Sequence, residues 1–259
     1  MPVAGVDIGS ISTEVVVLEG EQILAEVISA TGANSKAAAE KALAEASSKA
    51  GTSVDQLEYI VATGYGRVSA PSAHKKVTEI TCHGKGAYFL YPGTRTVIDI
   101  GGQDSKVIRL DPKGNVVDFV MNEKCAAGTG RFLEVMAHAL EVELEELADF
   151  SGRASRSVPI SSMCTVFAES EVVSLIATGE PREDIIRGIH DSIAERTVGM
   201  VNRVGMDEEV IMTGGVAHNG GVLECLKERL GVNIKIPQNP QIVGALGAAI
   251  IASGNKSSK

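Results

Sequence analysis

A short aspartate–glycine motif occurs twice in the chain, each time after an apolar run. Residues 4–20 read AGVDIGSISTEVVVLEG and residues 96–112 read TVIDIGGQDSKVIRLDP. Superposing the copies matches Asp7 with Asp99 and places a glycine two positions later in both. Each copy predicts a buried strand, a glycine turn and a second strand that completes a hairpin. Two copies of one unit predict two similar domains in one chain.

The turns of the two copies carry residues suited to holding a phosphate. Glycines let backbone N–H groups approach an anion, and the hydroxyl residues of the first copy add donors. An aspartate at the end of the preceding strand can hold Mg²⁺ directly or through water. Taken alone, one copy is explained by a structural hairpin turn, but two aligned copies in one chain favour a phosphate site. A third turn, Gly214-Gly215 after the apolar run VIMT, predicts either a tight strand-to-helix loop or a surface for a flat ring.

The composition argues against two classes of partner. The 259 residues carry a net charge of −9 and contain 3 % aromatic residues, with no tryptophan. Nucleic-acid binding, which uses basic surfaces and stacking aromatics, is therefore not expected. No apolar run approaches the roughly 20 residues that span a bilayer, and the first ten residues lack the basic segment of a signal peptide. We expect a cytoplasmic protein with no membrane partner.

Two of the four cysteines stand ahead of helical patterns. Cys125 lies in NEKCAAGTGRFLEVMA and Cys164 in SSMCTVFAESEVVSLI, and neither belongs to a CxxC pair. The N–H groups and the dipole at a helix start favour the thiolate, which is the metal-binding form of cysteine. Two thiolates cannot complete a four-coordinate site, whereas a symmetric homodimer supplies four. The spacing leaves three interpretations open: a structural zinc, a 4Fe-4S cluster, or two buried cysteines that only pack.

The order of the glycine elements resembles that of the actin, sugar-kinase and Hsp70 ATPase superfamily. In that superfamily the two hairpins bind the phosphates, and the third element, here the Gly214-Gly215 turn, packs on adenosine. The resemblance implies an α/β fold of two actin-like, ribonuclease-H-like ATPase domains with ATP in the cleft between them. The residues that match nucleotide-binding positions are Asp7, Gly9, Ser10, Ser12 and Thr13; Asp99, Gly101, Gly102, Gln103 and Asp104; and Gly214, Gly215 and Asn219.

The cysteine segments, with ATGYGR and IDIGGQDSK, resemble a narrower family over essentially the whole chain. These are the activators, or component A, of 2-hydroxyacyl-CoA dehydratases, with the related ATPase subunits of benzoyl-CoA reductase. The resemblance implies one 4Fe-4S cluster per homodimer, held by Cys125 and Cys164 of each subunit. It further implies ATP-driven single-electron transfer to a dehydratase or reductase partner, with reduced ferredoxin or flavodoxin as the electron source.

The resemblance also implies roles in the hairpins. Asp7 and Asp104 would place Mg²⁺ or the attacking water, and Gln103 would orient that water. One position departs from the family: many relatives carry lysine where Glu14 stands, whereas the second hairpin keeps Lys106. The departure puts in doubt a lysine contact with phosphate in the first hairpin.

The repeat sets the predicted domain boundaries. Residues 1–94 form a first ATPase domain, residues 95–239 form a second domain that carries the cysteine-bearing helices, and residues 240–259 form a helix that packs back on the first. Cys82 and His83 are predicted to lie on or beside a helix, with a metal role disfavoured, and Cys225 is predicted to be a packing residue. The rival functions are a small-molecule kinase of the same superfamily, which leaves the paired cysteines unexplained, and a zinc-bridged, ATP-regulated binding module.

Overall fold

The computed structural model describes residues 1–70, 72–161 and 164–255, which form two five-stranded sheets flanked by helices. The strands are β1 (Val3–Ile8), β2 (Ser12–Glu19), β3 (Gln22–Ala30), β4 (Ile60–Thr63), β5 (Lys75–Lys76), β6 (Thr96–Ile100), β7 (Ser105–Leu110), β8 (Val116–Asn122), β9 (Val210–Thr213) and β10 (Ile234–Lys235). The α-helices are α1 (Ser35–Lys49), α2 (Glu79–Leu90), α3 (Gly130–Leu140), α4 (Leu147–Gly152), α5 (Thr165–Ala177), α6 (Arg182–Val204), α7 (Gly220–Leu230) and α8 (Val243–Gly254). Short 3₁₀ helices span Val54–Gln56, Tyr65–Ser69, Leu144–Glu146, Gly215–His218 and Pro240–Ile242.

The two sheets have the same strand order. The first runs β3-β2-β1-β4-β5 and the second runs β8-β7-β6-β9-β10. In the first, β1 pairs antiparallel with β2 and parallel with β4, so a three-stranded meander is extended by crossover strands. The internal repeat read from the two hairpins therefore extends to whole sheets.

The chain divides into two compact units. The first comprises Met1–Val97, Ile108–Asp118 and the C-terminal segment from Pro237, and the second comprises Ile98–Val107 and Phe119–Ile236. The domain boundaries drawn from the sequence stay a prediction. Residues 256–259, assigned there to the C-terminal helix, lie outside the described residues.

The first unit packs helices on both faces of its sheet. Alanines and a leucine of α1 cover one face of β1, where Val6 and Ile8 are buried. On the other face α8 lies so close that a Cβ on Gly5 would stand 2.0 Å from the Ala245 carbonyl oxygen. The helix α2 packs on α8 in the same way, since a Cβ on Gly247 would stand 1.8 Å from the Cys82 carbonyl oxygen. These contacts join backbone to backbone, which explains the small residues of α8.

The core of the second unit is formed by β6, β7, β9 and the helices α3, α6 and α7. The long helix α6 packs against α4 and α7, and α3 packs against α5. The helix α6 also buries His190, whose two ring nitrogens have no hydrogen-bond partner. A Cβ on Gly221, in the first turn of α7, would stand 2.2 Å from the His190 Nδ1 atom, so the ring is tightly enclosed.

Burial of His190 makes the stability of the fold depend on pH. Burial, reinforced by the nearby Arg187 guanidinium, lowers the pKa of His190 from 6.5 to about 4. Between these values the unfolded chain binds a proton that the folded chain does not, so the free energy of unfolding falls as the pH falls.

We expect His190→Leu to remove this dependence. From pH 7.5 to pH 5, the free energy of unfolding of the parent should fall by about 2 kcal/mol more than that of the variant. Urea denaturation at both pH values measures the difference. A His190→Gln control, neutral but polar, should also lose the pH dependence. A variant with the parental pH response would contradict this assignment.

Candidate functional site

The first hairpin ends in an open turn next to a buried aspartate. The Gly9 N–H donates to the Ser12 carbonyl oxygen at 2.9 Å, and Ser10 is exposed at the tip. Asp7, the last-but-one residue of β1, is buried. The Thr13 hydroxyl is also buried and lies 2.8 Å from the Thr31 hydroxyl, so this predicted nucleotide contact has its side chain directed into the unit.

The second hairpin repeats the turn with different side chains. The Gly101 N–H donates to the Asp104 carbonyl oxygen at 2.9 Å, and a Cβ on Gly101 would stand 2.5 Å from the Asp104 Oδ1 atom. Gln103 is exposed at the tip, whereas Asp104 and Gly102 are half-buried. The predicted residues of each hairpin are thus brought together within their own unit.

A buried lysine connects the two aspartates of the second hairpin. The Lys106 Nζ atom lies 2.9 Å from the Asp99 Oδ2 atom and 2.7 Å from the Asp104 Oδ2 atom, and its side chain is 4 % exposed. The Thr213 hydroxyl donates to the Asp99 Oδ1 atom at 2.7 Å. A buried charge needs such partners because it has left the water that solvated it.

The first hairpin has no lysine at the corresponding position. Glu14 stands opposite Asp7 in the register of β1 and β2, and both residues are buried. The His83 Nε2 atom of α2 lies 3.6 Å from the Asp7 Oδ2 atom. The departure at Glu14 therefore puts a carboxylate inside the unit rather than at its surface.

The third predicted element begins at Gly214, where β9 ends. Gly214 has φ of 84°, and a Cβ there would stand 2.3 Å from the Ile100 carbonyl oxygen, so only glycine fits. Gly215 opens the 3₁₀ helix and is exposed. Asn219 caps α7, since its Oδ1 atom accepts from the Val222 N–H at 3.0 Å.

The first unit contains a matching turn that the sequence reasoning missed. Gly64 follows β4 with φ of 82°, and a Cβ there would stand 2.3 Å from the Asp7 Oδ1 atom. A 3₁₀ helix follows it, as one follows Gly214. The signal was present as Thr-Gly after an apolar strand, in ATGYGR and again in MTGGVA.

The two candidate ligand cysteines differ from the other two in exposure. Cys164 is exposed and is the N-cap residue of α5, and Cys125 is half-buried. Cys82 and Cys225 are buried, and burial raises the pKa of each thiol to about 12, so neither is a thiolate at neutral pH. Cys82 lies on α2, as predicted, and the predicted packing role of Cys225 fits its burial.

One prediction about Cys125 is wrong. The sequence pattern placed it at the start of a helix, but α3 begins at Gly130, after an N-cap at Thr129. The residues between them form a glycine-containing turn, in which Gly128 has φ of 86°. The glycine-rich turn was visible in the sequence CAAGTG, but the apolar stripe marks the face of a helix better than its first residue.

The start of α3 is bound to the second hairpin. The Gly130 N–H donates to the Gly101 carbonyl oxygen at 2.9 Å, and the Arg131 N–H donates to the Gly102 carbonyl oxygen at 2.8 Å. These two donors belong to the unpaired set that every helix start leaves. The turn predicted to hold phosphate and the segment that carries Cys125 are therefore directly hydrogen-bonded.

The two α/β units, with their five-stranded sheets of the same strand order, have the actin-like and sugar-kinase-like fold that was predicted. At 16 % identity and a TM-score of 0.61, a ROK family glucokinase from Streptomyces griseus shares the fold alone. The chain belongs to the BadF/BadG/BcrA/BcrD ATPase family, and the sequence model of that family matches residues 4–252.

Two dehydratase activators are similar to the chain over nearly its whole length. The activator of lactoyl-CoA dehydratase from Anaerotignum propionicum is 49 % identical over 249 residues, which are 96 % of each chain. The activator of the 2-hydroxyisocaproyl-CoA dehydratase from Clostridium difficile, solved with bound ADPNP, is 44 % identical with a TM-score of 0.92. That likeness covers 99 % of this chain and 96 % of the other. The resemblance to activators is confirmed.

The described residues contain eight α-helices. None of them is both long enough and apolar enough to cross a bilayer.

Removing the Lys106 charge should destabilise the second unit. Lys106→Met leaves the Asp99 carboxylate buried without its cation, which should lower the free energy of unfolding by about 3 to 5 kcal/mol. Adding Asp99→Asn should recover part of the loss, because the amide carries no charge. Urea denaturation of both single variants and the double variant measures the coupling. Strictly additive losses would show that the two charges do not interact.

Proposed function

We propose that the protein is an ATP-dependent one-electron donor that activates a 2-hydroxyacyl-CoA dehydratase or a related acyl-CoA reductase. Family membership and the similar activators support the partner class. The single observation that carries the coupling is the pair of hydrogen bonds between the second hairpin and the start of α3. The reduced ferredoxin or flavodoxin donor and the cytoplasmic location are part of the proposal.

Nucleotide binding is assigned to the hairpins and the turn after β9. Backbone N–H groups around Gly9 and Gly101 would hold phosphates, and Gly214 and Gly215 would face adenosine. Asp7 and Asp104 would orient Mg²⁺ or the attacking water, with Gln103, exposed at its tip, as the water-orienting residue. The remaining proposed contacts, by the same matching of motifs, are Ser10, Ser12, Thr13, Asp99, Gly102 and Asn219.

The cysteine pair suits a 4Fe-4S cluster shared by a homodimer. Among the residues that the structure describes, no group of three or more His, Cys, Asp or Glu side chains could hold a metal ion. Cys125 and Cys164 are the accessible thiols, and two chains supply the four thiolates that such a cluster takes. Bound there, the cluster supplies one-electron transfer. Exposed Val166, Phe167 and Val173 on α5 support burial of this region by a second subunit.

The free energy needed to lower the reduction potential of the cluster is the reason why electron transfer would need a nucleotide. Lowering a one-electron potential by about 200 mV costs about 5 kcal/mol, since about 59 mV corresponds to about 1.4 kcal/mol. A surface ion pair contributes at most about 1 kcal/mol. Contacts that nucleotide makes differently in two conformations can supply the larger amount. The Gly101–Gly102 turn would pass that difference to α3 through the Gly130 and Arg131 N–H groups.

Cysteine variants test the cluster assignment. Anaerobically purified parent should hold about four iron atoms per two chains. Cys125→Ala and Cys164→Ala should each lose iron and the activation of the dehydratase, because the set of four thiolates is broken, while keeping ATP binding. Cys225→Ala is the matched control and should keep both, because Cys225 is buried in the core. Full iron content in Cys125→Ala would refute the assignment.

A proline variant tests the coupling. Arg131→Pro removes one N–H donor in the first turn of α3 and places the ring carbon Cδ where that hydrogen pointed at the Gly102 carbonyl oxygen, so the start of α3 and the second hairpin must move apart. We expect ATP binding and iron content to persist while dehydratase activation falls at least about tenfold, the equivalent of about 1.4 kcal/mol of coupling.

Arg131→Ala is the control, because it removes the side chain and keeps the N–H. It should behave as the parent does. Equal losses in the alanine and proline variants would assign the effect to the side chain and contradict coupling through the backbone.

A further inference from the structure

The carboxylate of Asp7 is enclosed by three separate elements of the first unit. A Cβ on Gly64, after β4, would stand 2.3 Å from its Oδ1 atom. A Cβ on Gly244, in the first turn of α8, would stand 1.9 Å from its Oδ2 atom and 2.8 Å from the His83 Nε2 atom of α2. The absence of a side chain at Gly244 therefore allows Asp7 and His83 to meet.

The corresponding aspartate of the second unit is held by different chemistry. Asp99 contacts Lys106 on the neighbouring strand and the Thr213 hydroxyl. At the position of Lys106, the first unit has Glu14, which cannot supply the cation that Lys106 supplies in the second unit. The basic side chain beside Asp7 comes from another element instead, since the His83 Nε2 atom of α2 lies 3.6 Å from the Asp7 Oδ2 atom.

We propose that His83 is the positioning residue of Asp7: its imidazole, reaching β1 from α2 across Gly244, fixes the carboxylate at the end of β1. This role rests on the proposed function, in which Asp7 acts on the nucleotide. His83 touches no substrate and works through Asp7. Its effect is therefore expected on the rate of ATP hydrolysis more than on nucleotide binding.

A metal-ligand role for Cys82-His83 does not fit the same geometry. Burial raises the pKa of the Cys82 thiol to about 12, so it is protonated at neutral pH. The described residues around it form no group that could hold a metal ion. His83 is 6 % exposed and its Nε2 atom lies within ion-pair distance of one carboxylate, so the buried imidazole restricts the positions open to that carboxylate.

Three variants of His83 separate positioning from packing. Glutamine places an N–H donor near the position of the His83 Nε2 atom, asparagine places one nearer the backbone, and alanine removes the group. We expect His83→Ala and His83→Asn to lower kcat for ATP hydrolysis by about 10- to 100-fold, with KM for ATP changed less than about threefold. His83→Gln should recover most of the loss.

The matched control is His74→Ala. His74 is in the same unit, accepts a hydrogen bond from the Ile60 N–H at 3.1 Å and stacks on Tyr59, without contact to Asp7. The kcat of His74→Ala for ATP hydrolysis should equal that of the parent. Urea midpoints and nucleotide dissociation constants for all variants show whether a lost rate comes with lost structure.

Each outcome decides the proposal. An active parent with undiminished kcat in His83→Ala would overturn the positioning role and leave the proposed function intact. Equal losses in the alanine, asparagine and glutamine variants, with lowered urea midpoints, would also overturn it, because they indicate packing. A parent that neither binds nor hydrolyses ATP would overturn the proposed function as well.

Discussion

Burial of a carboxylate at the end of a central strand is the constraint around which both units are arranged. Asp7 and Asp99 are each less than a tenth exposed, so each must be compensated by groups brought from other elements. Gly64, after β4, and Gly214, after β9, let the backbone approach these carboxylates. A Cβ on Gly64 would stand 2.3 Å from the Asp7 Oδ1 atom, and a Cβ on Gly214 would stand 3.1 Å from the Asp99 Oδ1 atom. The conformation of each hairpin turn depends on this packing.

The two units compensate their buried aspartates with different side chains. The second uses a permanent cation, Lys106, which also reaches Asp104 in the turn. The first has Glu14 on the neighbouring strand and a histidine from a helix. The duplicated architecture is therefore asymmetric in its electrostatics. The hairpin of the second unit is hydrogen-bonded to the start of α3, whereas the aspartate of the first hairpin lies against α2 and α8.

Much of the site was readable from sequence because its motifs are local. The aspartate–glycine hairpins and the Gly214 turn are short patterns whose backbone requirements appear in the residues themselves, and the cysteine segments carried the family resemblance. The Thr-Gly signal of the Gly64 turn was present but was missed, and the contacts that Gly64 and His83 make with Asp7 were not readable. They depend on which residues α2, α8 and β4 bring together, across more than fifty positions of chain, and on register that no local pattern specifies.

The placement of α8 has a consequence for how the protein is made. Gly5 of the first strand lies against Ala245, so the sheet that begins synthesis remains uncovered on one face until the residues of α8 have left the ribosome. The second unit, encoded between these parts, is available to fold earlier. The nascent chain therefore exposes an apolar strand face until α8 has been synthesised, and such a surface makes an incompletely folded chain prone to aggregation.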